Sequence, residues 1–342
     1  MNGTLRDGLV HVGEDARQRF YDARGYGRPA AEDGIVLAPV EAAHLLYRGD
    51  LSTVDGRGFR RFVAARDPSF LPLFLVYADL RGRGFYLSPA RSEWVAEPGG
   101  VDLVVYPRGQ GPWDDEVAHR VRVLDERTPV AVEELGNAVL AVVDEESEIT
   151  YLETTTGRPT GAGTPDPPTA TAQLVGHRVL VWDPPAELHG ASFYGQPLGG
   201  DGGAEALHLS LIEAASLAAK GVLSVDVEES LAAIIDRGRT VEGDRFDRRL
   251  QVYRDLRQDG LVPKTGFKFG ADFRVYPEFE SADEVGHSTS LIRVLAPDST
   301  LLPRDIALDV RLAHGVRKTM RFALPDRTEG TVGWRTVGRL RP

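Results

Sequence analysis

The chain repeats itself. Pro39-Val40-Glu41-Ala42-Ala43-His44-Leu45-Leu46 returns as Leu211-Ile212-Glu213-Ala214-Ala215-Ser216-Leu217-Ala218. Val76-Tyr77-Ala78-Asp79-Leu80-Arg81 returns as Val252-Tyr253-Arg254-Asp255-Leu256-Arg257, and Val105-Tyr106-Pro107 returns as Val275-Tyr276-Pro277. Landmarks in the same order, half a chain apart, require a duplicated unit too long for a solenoid repeat. A length of 342 residues fits two such units, each large enough to bury a core. The copies are not equal, because the second supplies His287 and Lys318 where the first has neither. One half reads as scaffold and the other as the seat of chemistry.

The absence of cysteine excludes disulfides, thiolate zinc sites and thiol nucleophiles. Met1 to Val10 lacks an apolar core of signal-peptide length, and no apolar run approaches a membrane span. A soluble, cytoplasmic protein is expected. The formal net charge is −11, and lysine occurs only at Lys220, Lys264, Lys268 and Lys318. This balance fits a cytosolic protein of a salt-accumulating halophile, or an ordinary acidic protein of a GC-rich genome. An acidic chain is not thereby barred from nucleic acid. At molar salt the Debye length is about 3 Å, so recognition would rest on shape, stacking and short hydrogen bonds.

Residues Thr156 to Thr169 are rich in Pro, Gly and Thr and read as an exposed strap between the units. A second such stretch, Gly199 to Gly203, reads as a surface loop. Each unit divides again. The expected parts are a first N-terminal lobe (1–72), a first C-terminal lobe (73–156), the linker (157–170), a second N-terminal lobe (171–248) and a catalytic lobe (249–342). Helical spacing marks Glu41 to Gly49, Ile212 to Gly221, Glu228 to Asp236, Asp244 to Gly260 and Asp305 to Lys318. Short β-branched or alternating runs mark strands at Leu261-Val262, Phe267 to Phe269, Phe273 to Tyr276, Ser290 to Leu295, Thr319 to Leu324 and Val332 to Leu340. The fold class is α/β (α+β): a tandem duplication of a two-lobed unit. Each unit has a small N-terminal α/β lobe and a C-terminal α/β sandwich of helix, strands, helix, strands.

The stretch from Val252 to Phe322 carries Tyr253-Arg254-Asp255-Leu256-Arg257 and the run from Lys264 to Tyr276. His287-Ser288 follows, and then the run from Val310 to Lys318. In that order these motifs resemble the catalytic domain of the archaeal tRNA-splicing endonucleases, the tRNA-intron lyases. The duplication resembles the two-unit, homodimeric form of that family. By that resemblance the catalytic residues are Tyr276, His287 and Lys318, with no metal and no cofactor. Cleavage of RNA by its own 2′-hydroxyl needs a base, an acid for the departing 5′-oxygen and a cation for the charge on phosphorus. His287 suits the acid and Tyr276 the base, with Lys318 as the cation. Each residue taken alone has a plain structural reading as packing, loop or solvated charge; their joint occurrence within the motif favours catalysis. His314 reads as structural. In the first unit, aligning Arg122-Val123-Leu124 on Arg293-Val294-Leu295 sets Glu116 opposite His287.

The resemblance further implies an arginine pair that clasps a bulged base: Arg311, with Arg339 preferred over Arg335 as its partner. It also implies that an acidic loop, Asp144, Glu145, Glu146 and Glu148, docks in a basic pocket of a second copy. The implied substrate is intron-containing precursor tRNA with a bulge-helix-bulge, and precursor rRNA with the same motif. Two rivals stand beside this reading. One is a non-catalytic RNA-binding or structural subunit of the same fold. The other is a metal-dependent nuclease using Asp272, Glu278 and Glu280.

Overall fold

The computed structural model describes residues 1–13, 15–30, 34–114, 116–198 and 206–342. The stretch Gly199 to Gly203 lies outside the described residues. At the centre is a ten-stranded sheet. Its first five strands are β1 (Leu87–Pro89), β2 (Leu103–Val105), β3 (His119–Asp125), β4 (Ala138–Val143) and β5 (Ile149–Thr156). The other five are β6 (Val262–Thr265), β7 (Phe273–Tyr276), β8 (Ser290–Val294), β9 (Thr319–Asp326) and β10 (Thr331–Arg339). The order across the sheet is β6-β7-β8-β9-β10-β5-β4-β3-β2-β1. Each half therefore lays down its strands in sequence order, and the halves meet last strand to last strand.

The pairing scheme is the same in both halves. Only β3 with β4, and β8 with β9, run parallel. The register matches as well. Val105, before Tyr106, lies opposite His119, and Val275, before Tyr276, lies opposite Ser290. His119 and Ser290 are thus equivalent, as the alignment of Arg122 on Arg293 requires. Following the ladders onward makes Thr154 the counterpart of Val337, and these two residues pair with each other across the β5–β10 joint.

An N-terminal lobe flanks each half: a five-stranded sheet of identical order with one helix against it. That helix is α1 (Pro39–Tyr47) in the first half and, further along the chain, Leu211–Ala219 in the second. We number the helices in chain order, so the latter is α3. It follows α2 (Phe70–Gly82) and precedes α4 (Ser230–Glu242), α5 (Asp244–Gln258) and α6 (Pro303–Gly315). The start of α3 is specified locally: Ser210 Oγ accepts from the Glu213 N–H while Glu213 Oε2 accepts from the Ser210 N–H. In α5 the apolar spacing Phe246, Leu250, Tyr253, Leu256 turns one face inward, and all four are buried. Arg257 at its end donates to the Ser192 carbonyl and lies over Tyr194, as Arg81 donates to the Arg24 carbonyl and lies over Tyr26.

Four expectations need correction. The first C-terminal lobe has no counterpart of α6; its parallel crossover is made by a single 3₁₀ turn, Val132–Glu134. One apolar cluster instead joins Leu140, Val142 and Leu152 of the first half to Ile306, Val310 and Ala313 of α6. A single helix thus covers the sheet face of both halves. Phe267 to Phe269 is a 3₁₀ turn and not a strand, because Gly270, at φ 68°, turns the chain back. The helix expected at Glu228 to Asp236 starts later and runs on to Glu242. Finally, the linker is pinned at its middle: the N–H groups of Gly161, Ala162 and Gly163 donate to the carbonyls of Asp259, Pro277 and Gly260. A Cβ on Gly161 would lie 2.5 Å from the Gly260 oxygen, so only glycine permits this crossing. Among the described residues no helix is long and apolar enough to cross a membrane.

Candidate active site

Three chain segments converge at one end of β7, β8 and β9. Tyr276 closes β7 and is 5 % exposed. Its ring meets Phe193 edge to face at 5.8 Å, and Phe193 stacks on Phe279 at 4.3 Å. Phe193 comes from the N-terminal lobe, and Lys264 on β6 ties that segment down: its Nζ donates to the carbonyls of Phe193 and Gly195 and to Glu213 Oε1, the last at 2.8 Å. Burial pushes the Glu213 carboxyl up, but the Lys264 ammonium and the N-cap hydrogen bonds outweigh it and bring the pKa down to about 2. The lobe interface is therefore an ion pair that sets the wall of the tyrosine.

His287 is exposed in the loop joining β7 to β8. The residues after it are stitched on both sides. The Thr289 N–H donates to the Val275 carbonyl, and the Thr319 N–H donates to the Thr289 carbonyl, both at 2.9 Å. Lys318 Nζ donates to the Ser288 carbonyl at 2.5 Å. His287 is thereby held between the strand that ends in Tyr276 and the segment that carries Lys318.

Lys318 is not helical, contrary to the expectation that Asp305 to Lys318 forms one helix with His314. α6 ends at Gly315, and Arg317 takes φ 56°. This left-handed turn aims Lys318 into the sheet, while His314, on the last turn of the helix, is exposed. The Lys318 ammonium lies 5.7 Å from the Phe269 ring, within cation–π reach. Burial, and then the Arg274 guanidinium, hold its pKa below the usual lysine value.

Arg311 and Arg339 are both exposed and line one cavity of about 400 Å³, together with Glu126, Asp144 and Arg304. Arg335 points elsewhere, donating to the carbonyls of Glu133 and Trp334. The acidic hairpin joins β4 to β5. Asp144 Oδ1 accepts the N–H groups of Glu146 and Glu148 at 2.9 Å, Glu145 pairs with Arg127, and Glu146 and Glu148 are exposed. Asp272 is committed to structure: it pairs with Arg245 and Arg249 and accepts the Val294 N–H. Among the described residues no group of three or more side chains has a metal-holding arrangement.

The first half lacks this constellation. Tyr106 donates to Ser88 Oγ at 3.0 Å, and the register sets Ser88 where the second half has Lys264. Similarity to known proteins follows the same division. The family model described as tRNA intron endonuclease, N-terminal domain, matches twice, at residues 1–63 and 170–234. The model described as tRNA intron endonuclease, catalytic C-terminal domain, matches at residues 246–334, in the second half. The chain is 55 % identical over 342 residues to the tRNA-splicing endonuclease of Haloarcula marismortui, covering all of both chains. It is 56 % identical over 344 residues to that of Halobacterium salinarum, again in full, and 35 % identical over 363 residues to that of Methanosarcina mazei, with 98 % of each covered.

The chain belongs to the tRNA intron endonuclease family.

The sequence reading assigns no role to Phe193, Lys264, Phe269 or Arg274. Three of these lie inside the motif from Lys264 to Tyr276, where two of only four lysines occur. The rarity of lysine was the available signal for Lys264. Phe193 carried none, since its contact with Tyr276 spans two lobes.

Proposed function

We propose that this chain excises introns from precursor tRNA by cutting at bulge-helix-bulge junctions, and processes precursor rRNA carrying the same motif. The observation that carries this reading is the meeting of the Tyr276, His287 and Lys318 segments at one end of β7, β8 and β9, where Lys318 Nζ donates to the carbonyl of Ser288, the residue after His287. Tyr276 takes the proton of the ribose 2′-hydroxyl. The 2′-oxygen attacks the adjacent phosphorus, and the bond to the 5′-oxygen breaks. His287 gives that oxygen its proton, and Lys318 offsets the charge gathered on the phosphoryl oxygens. Atoms balance without water, leaving a 2′,3′-cyclic phosphate and a 5′-hydroxyl. Base, acid and cation are all side chains, so the step requires no metal.

A free phenol ionises only near pH 10, so the base role asks for a positive surrounding, which in this reading Lys318 supplies. Arg311 and Arg339 act as a clasp for an unstacked base, because guanidinium planes stack where salt screens simple attraction. Two copies pair, each acidic hairpin entering a basic pocket of the other chain, and the two sites then gauge the distance between paired bulges.

The test is cleavage of end-labelled precursor tRNA in high potassium chloride with excess EDTA, comparing wild type with His287→Ala. Cyclic phosphate ends from wild type, with a loss of about 10²-fold or more in the variant, support the reading. Cleavage abolished by EDTA would point to a metal nuclease. Binding without cleavage would leave an RNA-binding subunit.

A further inference from the structure

Arg274 sits one residue before Val275 and two before Tyr276 on β7, so its side chain leaves the sheet on the same face as the tyrosine. Its Cζ lies 5.7 Å from the Tyr276 ring centroid. The arginines of the second half around it are engaged: Arg245 and Arg249 with Asp272, Arg257 with the Ser192 carbonyl, Arg293 with Asp309. Arg274 is different. It is half-buried, its Nε is buried without a hydrogen-bond partner, and among the described residues it forms no ion pair. Its charge is close enough to Lys318 to oppose that ammonium. The two like charges oppose each other, and among the described residues neither forms an ion pair with a carboxylate. Folding alone does not favour such an arrangement, because a poorly compensated, partly buried cation costs stability.

The duplication provides the control. By register, the first-half residue equivalent to Arg274 is Val104, since Val104 lies opposite Ser88 as Arg274 lies opposite Lys264. The half with no counterpart of His287 or Lys318 has valine at this register, and the guanidinium that reaches its tyrosine comes from the N-terminal lobe, Arg28 donating to Ser88 Oγ. The tyrosine is kept in both halves, so the arginine varies with the chemistry and not with the fold.

We propose that Arg274 is a phosphate-binding residue of the active site, a second cation that, with Lys318, receives the non-bridging oxygens of the scissile phosphodiester. This deepens the function proposed above and rests on it. An anion between the two cations relieves their repulsion, so binding strength grows as charge builds on phosphorus in the transition state. The guanidinium also fixes the phosphate by direction, which an ammonium does not. The other charged groups nearby are accounted for. Lys264 is held by Glu213, and the cavity on that side carries Arg178 against His208 and the Arg249–Glu242 pair. Arg274 itself lines that cavity, whose other titratable groups are His177 and Tyr253, and its guanidinium lies over the Tyr276 ring.

The experiment is single-turnover cleavage of a bulge-helix-bulge precursor by the full chain across pH, for wild type, Arg274→Gln, Arg274→Met and Arg274→Lys, with circular dichroism and melting on each. We expect a rate loss of about 10²-fold in the Gln and Met variants, less than tenfold change in substrate Kd, and partial recovery in the Lys variant. Removing the like charge raises the Lys318 pKa, so the alkaline loss of activity moves to higher pH in the Gln and Met variants. A merely structural arginine would lower the folded fraction and leave the alkaline limb in place. Unchanged rates, or a loss without any shift of that limb, overturn the proposal. If wild type itself gives no cyclic phosphate ends, the underlying reading fails instead.

Discussion

Glu41 and Glu213 occupy the same place in the two halves, and each accepts the N–H of a glycine, Gly27 or Gly195. Their acidities diverge. Burial pushes the Glu41 carboxyl up to about 7, whereas Lys264 brings Glu213 down to about 2 against the same burial. The consequences for stability have opposite sign. A free glutamate titrates near pH 4.3, so the Glu213 contribution is complete above that value and is lost as pH falls toward 2. The Glu41 contribution is complete below it and is lost as pH rises through 7. Lys264→Met should therefore give the second half the behaviour of the first. We expect a loss of about 3–5 kcal/mol at pH 8, partly restored on acidifying to pH 5, as read from denaturant melts of variant and wild type at both pH values. A loss independent of pH would show that Lys264 acts through packing alone. The variant should also slow cleavage, because Phe193 then loses the anchor that holds it against Tyr276.

At the scale of elements, helix positions were legible because burial follows spacing: Phe246, Leu250, Tyr253 and Leu256 announce α5, and the 3₁₀ crossover of the first half is where such spacing fails. What sequence could not give was the end of α6. Nothing in Val316-Arg317-Lys318 forbids another turn of helix; Arg317 adopts φ 56° because the chain must enter β9 beside β8. The same holds for Phe267 to Phe269, whose alternation imitates a strand. Tyr276, His287 and Lys318 were legible as a motif, but the carbonyl of Ser288 that holds Lys318 was not, since a backbone acceptor has no letter. The acidic hairpin yields a further prediction. Asp144 shapes the turn through its own hydrogen bonds, so Glu146→Lys with Glu148→Lys should preserve the hairpin and remove only its charge. Light scattering at the working salt should then find monomers where wild type forms dimers. Dimers of unchanged affinity would sink the proposed pairing.

For the whole molecule, the halves share an apolar cluster under α6 and a continuous sheet, so they should unfold together. The linker contributes hydrogen bonds at Gly161, Ala162 and Gly163; its later residues join no sheet, although the Pro165 carbonyl accepts from Ser192 Oγ and Pro167 is buried. A protease site placed at Pro165 to Pro168 should therefore, once cut, leave two fragments that elute as one particle and still cleave RNA; separate elution would show that the tether holds them. The duplication was legible in sequence from its landmarks, whereas the joint was not, because strand pairing between distant β5 and β10 leaves no local pattern. Yet that joint explains why one chain contains two copies. Thr154 faces Val337, its own counterpart, so a local two-fold axis passes between them. An edge that pairs with its equivalent is the isologous contact of a symmetric dimer. The fused chain is built as a half-length ancestor would meet itself, and the strap of proline and glycine supplies proximity where recognition already existed. Joined in one chain, the two copies are free to differ, and only the second carries His287 and Lys318.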